Sequence, residues 1–153
     1  MKIKKIKKIE KEKTYDLNIK DNHNYFISEN DISVHNSGKD FSKTDRSAAY
    51  LARYIAKNII ETGVAEKCKV EIAYMIGKKE PASLNVDTFG DYDDKLLIEI
   101  VKKVFPLEPN DIINHFNLKS PIFSKTAGGH YGNDEFPWEK TDMVDKIKTY
   151  LKE

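Results

Sequence analysis

"TDRSAAYLARYIAKNIIETG", residues 44–63, decides how the chain is read. Its periodicity predicts one helix, with Thr44 as N-cap and Gly63 as the residue just past the end. Ala48, Ala52, Ile55 and Ile59 form a narrow face suited to close packing, and Arg46, Tyr50, Arg53 and Lys57 form a second face. Downstream, "KVEIAYMIG" (69–77) puts Val70, Ile72, Tyr74 and Ile76 on one side of a strand. After the turn "KKEP", "ASLNVDTFG" (82–90) returns with Leu84 and Val86. "DDKLLIEIVKKVF" (93–105) is a second helix stopped by Pro106, and Pro109 opens a third that runs through Phe116. A loop rich in glycine and aromatics (120–142) leads to a closing amphipathic helix, "MVDKIKTYLKE" (143–153). The pattern is a helix–hairpin–helix α+β layer.

Upstream of residue 37 the texture differs. Residues 1–13 hold seven Lys and two Glu, a net of +5, and residues 14–36 sum to −3. "KIKKIKKIEKEK" (2–13) repeats Ile every third residue, a spacing shared by a helix, an irregular strand and a solvated basic arm. "TYDLNI" puts Tyr15, Leu17 and Ile19 on one strand face, and "YFIS" and "ISV" are short strands around a turn. Thirty-six residues cannot bury an adequate core by themselves, so this part needs a partner.

The bulk numbers exclude several classes. Net charge is +1 over 153 residues, which gives no global call for nucleic acid. Charged residues at 33% and hydrophobic ones at 39% describe a soluble globular chain. The single cysteine, Cys68, forms no internal disulfide and receives no role; a cytoplasmic setting is expected. No apolar run approaches the roughly 20 residues of a membrane span, and the basic start lacks the apolar stretch of a signal peptide.

Two motifs carry chemistry, and they touch. In "VHNS" (34–37) the Asn36 amide can attack its own carbonyl, closing a succinimide and cutting the chain before Ser37. His35 can protonate the leaving amine, and the Ser37 hydroxyl can accept an acyl group. Asn-Ser is also a common turn pair. In "SGKDFSKTD" (37–45) the upstream glycine of a P-loop is missing and Asp40 stands where Ser or Thr belongs. Lys39 and Lys43, four apart, and Asp45, a hard oxygen donor, suit a polyphosphate with its Mg²⁺. The same residues also describe a solvated helix start.

"TYDLNIKDNHNYFISENDISVHNS" (14–37) resembles the C-terminal splicing motifs of inteins. That resemblance implies a split-intein C-half over residues 1–36, with short β segments of a Hint fold. It places functional roles on Asp16, His23, His35, Asn36 and Ser37. Splicing would need no cofactor. It would need a partner: an N-terminal intein half fused to the N-terminal part of the host enzyme. The alternatives are the end of a longer, contiguous cis-splicing intein, or an inert tail.

"SGKDFSKTDRSAAYLARYIAKNI" (37–59), "AYMIG" (73–77), "EPASLNVDTFG" (80–90) and "GGHYGNDEFPWEKTD" (128–142) resemble the C-terminal part of methionine adenosyltransferase, or S-adenosylmethionine synthase. The resemblance covers residues 37–153; the family commonly has Pro where Phe41 stands. It implies transfer of the methionine sulfur to the ribose C5′ of ATP, with Mg²⁺ and K⁺ assisting, in a homodimer or tetramer. It places Lys39 at ATP phosphate, Lys43 near phosphate and methionine, and Asp45 on Mg²⁺. The glycine-rich residues expected just before Ser37 are missing and are assigned to another polypeptide. His130 and Trp138 are read as structural, and His115 as a core or partly buried residue.

Overall fold

A computed structural model of the chain describes residues 24–27, 32–35, 41–120, 122, 125–126 and 129–152, the first two stretches by backbone only. The chain divides into two compact units, Met1–Gly38 and Lys39–Glu153.

In the first unit the described residues form one antiparallel pair, β1 (Asn24–Ile27) with β2 (Ile32–His35). The register sets Asn24 opposite His35 and Ile27 opposite Ile32, so the two short strands expected from "YFIS" and "ISV" pair around their turn. The strand expected at Tyr15–Ile19 lies outside the described residues.

The second unit is built on α1 (Thr44–Glu61). Gly and Pro are absent from these 18 residues, and a buried stripe of Tyr50, Leu51, Tyr54, Ile55, Asn58 and Ile59 recurs at helical spacing. Gly63 ends the helix as expected, with φ +86°. The start differs from expectation. Thr44 is already helical, and Lys43 takes the cap position in extended backbone, where no side chain closes a cap bond.

β3 (Lys69–Ala73) and β4 (Ser83–Asp87) pair antiparallel, with Val70 opposite Val86 and Ile72 opposite Leu84. Those four form the packed face; α1 lies against β3, and α2 (Asp94–Val104) against β4. Ile76 does not continue this face. The strand stops at Ala73, Lys78 N–H bonds to the Met75 carbonyl, Gly77 turns at φ +82°, and Ile76 is left fully exposed. α3 (Pro109–His115) begins on its proline, whose missing N–H costs nothing at that position. α4 (Val144–Leu151) closes the unit and buries Ile147 in the shared core.

α2 is the helix with a true side-chain cap: Asp93 accepts from the N–H groups of Lys95 and Leu96. Asp93→Ala is expected to lower unfolding free energy by about 1 kcal/mol. Denaturant unfolding checks this, and an unchanged midpoint would show that the cap is dispensable.

Candidate functional site

α1 presents different chemistry on two sides. On one side its first turn opens onto a cavity of about 760 Å³. Ala48, Ala49 and Ala52 give this cavity a floor, Val70 and Ile72 of β3 a wall, and the Tyr74–Lys78 turn a rim. Lys43 and Asp45 both line it, and both are exposed. Of the three charges the sequence singled out there, Lys43 and Asp45 share this cavity. The small side chains keep the helix backbone low, and the aligned N–H groups of the helix start favour an anion nearby.

On the other side Arg46, Tyr50, Arg53 and Lys57 form a polar stripe that docks against Thr126, His130 and Glu139, with Arg53 still exposed along part of its length. Arg46 Nη2 donates to Thr126 Oγ1 at 2.8 Å, and its Nε donates to the Tyr50 hydroxyl at 2.7 Å. Tyr50 is buried flat against Trp138, ring centroids 3.7 Å apart and 2° between planes. Its hydroxyl meets His130 Nδ1 at 2.8 Å. Burial raises the Tyr50 pKa against the opposing pull of Arg46, so the phenol stays protonated.

Further along, Arg53 donates both Nε and Nη2 to the Glu139 carboxylate at 3.1 Å, and Lys57 Nζ adds a bond at 2.9 Å. The Gly132 N–H supplies a fourth, at 3.0 Å. Burial alone would raise the Glu139 pKa; the bonds from Arg53, Lys57 and Gly132 outweigh it and hold the carboxyl at about 2. Asn58 completes the stripe, donating to the Tyr54 and Lys140 carbonyls and accepting from Met143 N–H.

The glycine-rich tail is therefore strapped along α1. Trp138 is wholly buried, in keeping with the structural reading, and its Nε1 donates to the His130 carbonyl at 2.7 Å. His115 differs from expectation: the residue is exposed at the end of α3, although its ring rests against Tyr54 and Phe116 and desolvation lowers its pKa. Cys68 is half-buried; burial, with Asp94 and Asp87, pushes its thiol up to about 11, which suits an inert residue. Sequence reasoning missed Glu139. The available signal was Arg53, a cation on a helix that offers it no acid at i±4.

Asp16, His23, Asn36, Ser37 and Lys39 lie outside the described residues, as does the side chain of His35, which ends β2. Among the described residues no three His, Cys, Asp or Glu gather as a metal cage. Asp45 beside Lys43 instead fits Mg²⁺ as that ion is usually held, by one or two carboxylates plus substrate phosphate.

The family model for the S-adenosylmethionine synthetase C-terminal domain matches residues 19–140. The chain belongs to that family. A solved structure described as an unusual S-adenosylmethionine synthetase from Campylobacter jejuni is 37% identical, with a TM-score of 0.70, and the match covers 78% of this chain and 34% of that one. The α+β architecture is thus that of the synthetase C-terminal domain, and the chain spans about a third of the length of this relative. The family match begins at residue 19, inside the stretch read as intein-like. The comparisons lend an intein fusion no support.

Proposed function

We propose that the chain supplies the C-terminal part of a methionine adenosyltransferase, which makes S-adenosylmethionine from ATP and methionine and releases phosphate and diphosphate. The observation that carries this is the pairing of Lys43 and Asp45 at the first turn of α1, on an open cavity, in a chain of the synthetase family. The methionine sulfur attacks ribose C5′, the C5′–O bond breaks, and its electrons pass to the tripolyphosphate. Stabilising that departing charge is the task, and the Lys43 ammonium, Lys39 and the α1 N-terminus suit it. A Mg²⁺ on Asp45 would share the same charge when bound. K⁺, a homodimer or tetramer, and a cytoplasmic setting belong to this reading through the family; no described helix is long and apolar enough to cross a membrane.

The test is kinetic. In the assembled enzyme Lys43→Ala and Asp45→Asn are each expected to lower kcat/KM by about a hundredfold or more. Changes within twofold would remove both from the site.

A second reading concerns residues 1–36. It rests on the string "VHNS" and on a division between compact units at Gly38 and Lys39, two residues beyond the Asn36–Ser37 bond. In it an N-terminal intein half, carried by the polypeptide bearing the rest of the enzyme, transfers its upstream segment to Ser37. Asn36 then cyclises, the Asn36–Ser37 bond breaks with the proton passing to the leaving amine, and the joined ester rearranges to an amide. Asp16, His23 and His35 assist the proton transfers. Asn36→Ala is expected to leave residues 1–36 attached, with no product beginning at Ser37 detectable by mass spectrometry. Ligated product of normal mass from that variant would refute the reading.

A further inference from the structure

The turn that carries Lys43 and Asp45 has no side-chain cap of its own. A helix start in that state leaves its first N–H groups without intrahelical acceptors and frays unless tertiary contacts hold it. Arg46, the next residue, makes such a contact, reaching Thr126 Oγ1 with Nη2 and the Tyr50 hydroxyl with Nε. Tyr50, one turn on, is 1% exposed and clamped against Trp138, so it is a rigid anchor for that guanidinium. Arginine Nε can only donate. The Tyr50 oxygen therefore accepts from Arg46, and its single proton is available to His130 Nδ1, 2.8 Å away. His130 in turn is fixed through its carbonyl by Trp138 Nε1. The phenol is a junction between the first turn of α1, the glycine-rich loop and the aromatic core.

We infer that Tyr50 is a positioning residue: acting through Arg46, its hydroxyl holds the Lys43–Asp45 turn in the geometry that a polyphosphate with its Mg²⁺ requires. The inference rests on the site reading above. Tyr50 does not line the cavity, so it acts only through its neighbours. Arg46 points away from the cavity to do this, and Asp45, one residue earlier on the helix, points into it.

Trp138 is the only tryptophan in the chain, and it is stacked on the junction, so its fluorescence reports there. The full chain is titrated with inorganic tripolyphosphate in the presence of Mg²⁺, affinity by calorimetry and response by fluorescence. Wild type is expected to bind with a saturable fluorescence change. Tyr50→Phe keeps the stack, removes the hydroxyl, and is expected to weaken affinity about tenfold, as loss of a charge-assisted hydrogen bond does. Ile100→Val, a mildly destabilising core change on α2, is expected to leave affinity unaltered. If Lys43→Ala loses binding but Tyr50→Phe binds as wild type, the positioning role falls and the site reading stands. Equal weakening in Tyr50→Phe and Ile100→Val would make Tyr50 merely structural and overturn the inference. Calorimetric binding without any Trp138 response would overturn it as well. No binding by wild type would overturn the site reading and this inference together.

Discussion

The double replacement Arg53→Ala, Lys57→Ala is expected to destabilise the fold by about 3–5 kcal/mol, the cost of stranding a buried charge. The Glu139 side chain is 1% exposed, whereas Arg53 keeps 43% and Lys57 27% of theirs. The loss is therefore asymmetric. Glu139→Ala frees two cations that can rehydrate, and is expected to cost less, about 2–3 kcal/mol. Removing both cations leaves a carboxylate that has one remaining described bond, from Gly132 N–H, and little water. The pH dependence separates the cases. In wild type the Glu139 pKa falls from 4.5 to about 2 on folding. That stability is fully present above pH 4.5 and is lost as pH falls toward 2. In the double variant desolvation dominates and the folded pKa rises, so the sign reverses and the variant gains relative stability as pH falls. Unfolding midpoints measured from pH 7 down to about 3 check both claims. Parallel pH profiles for wild type and double variant would show that Glu139 does not bear the strap's charge.

Trp138→Ala is expected to cost about 3–5 kcal/mol, in the range for deleting a large aromatic from a packed core. Trp138 is fully buried, stacked on Tyr50, with Phe136 at 4.9 Å and Phe116 edge-on at 6.1 Å between ring centroids. None of these rings can collapse into the space without leaving its own contacts. Trp138→Phe keeps a ring in the stack but leaves the His130 carbonyl without its donor, and is expected to cost about 1–3 kcal/mol. Thermal and denaturant unfolding of the two variants test this. A Trp138→Ala variant as stable as wild type would show that the tail is not strapped to α1.

The strap also explains what the sequence did and did not disclose. α1 was legible because its apolar spacing is long and ends on Gly63, where a left-handed turn needs glycine. The β3–β4 hairpin was legible because Val70, Ile72, Leu84 and Val86 alternate. Ile76 continued that alternation on paper, but alternation says nothing of where pairing stops, and the Met75–Lys78 turn ends the strand first. The second face of α1 could be seen in Arg46, Tyr50, Arg53 and Lys57, but not its partner. Glu139 lies 86 residues beyond Arg53, and no local pattern links positions so distant. At the site, Lys43 and Asp45 were legible as a basic and acidic pair at a helix start. The groove beside them was not, because it is made by β3 and its turn meeting the alanine face of the helix.

The most direct measurement is S-adenosylmethionine formation from ATP and methionine. It is made on the purified chain, and on the complex proposed for it with a polypeptide that carries the rest of the enzyme, isolated from source cells. The account predicts no turnover by the chain alone, turnover by the complex, and loss of that turnover with Lys43→Ala. Turnover by the chain alone, or a complex that makes no S-adenosylmethionine, would contradict it.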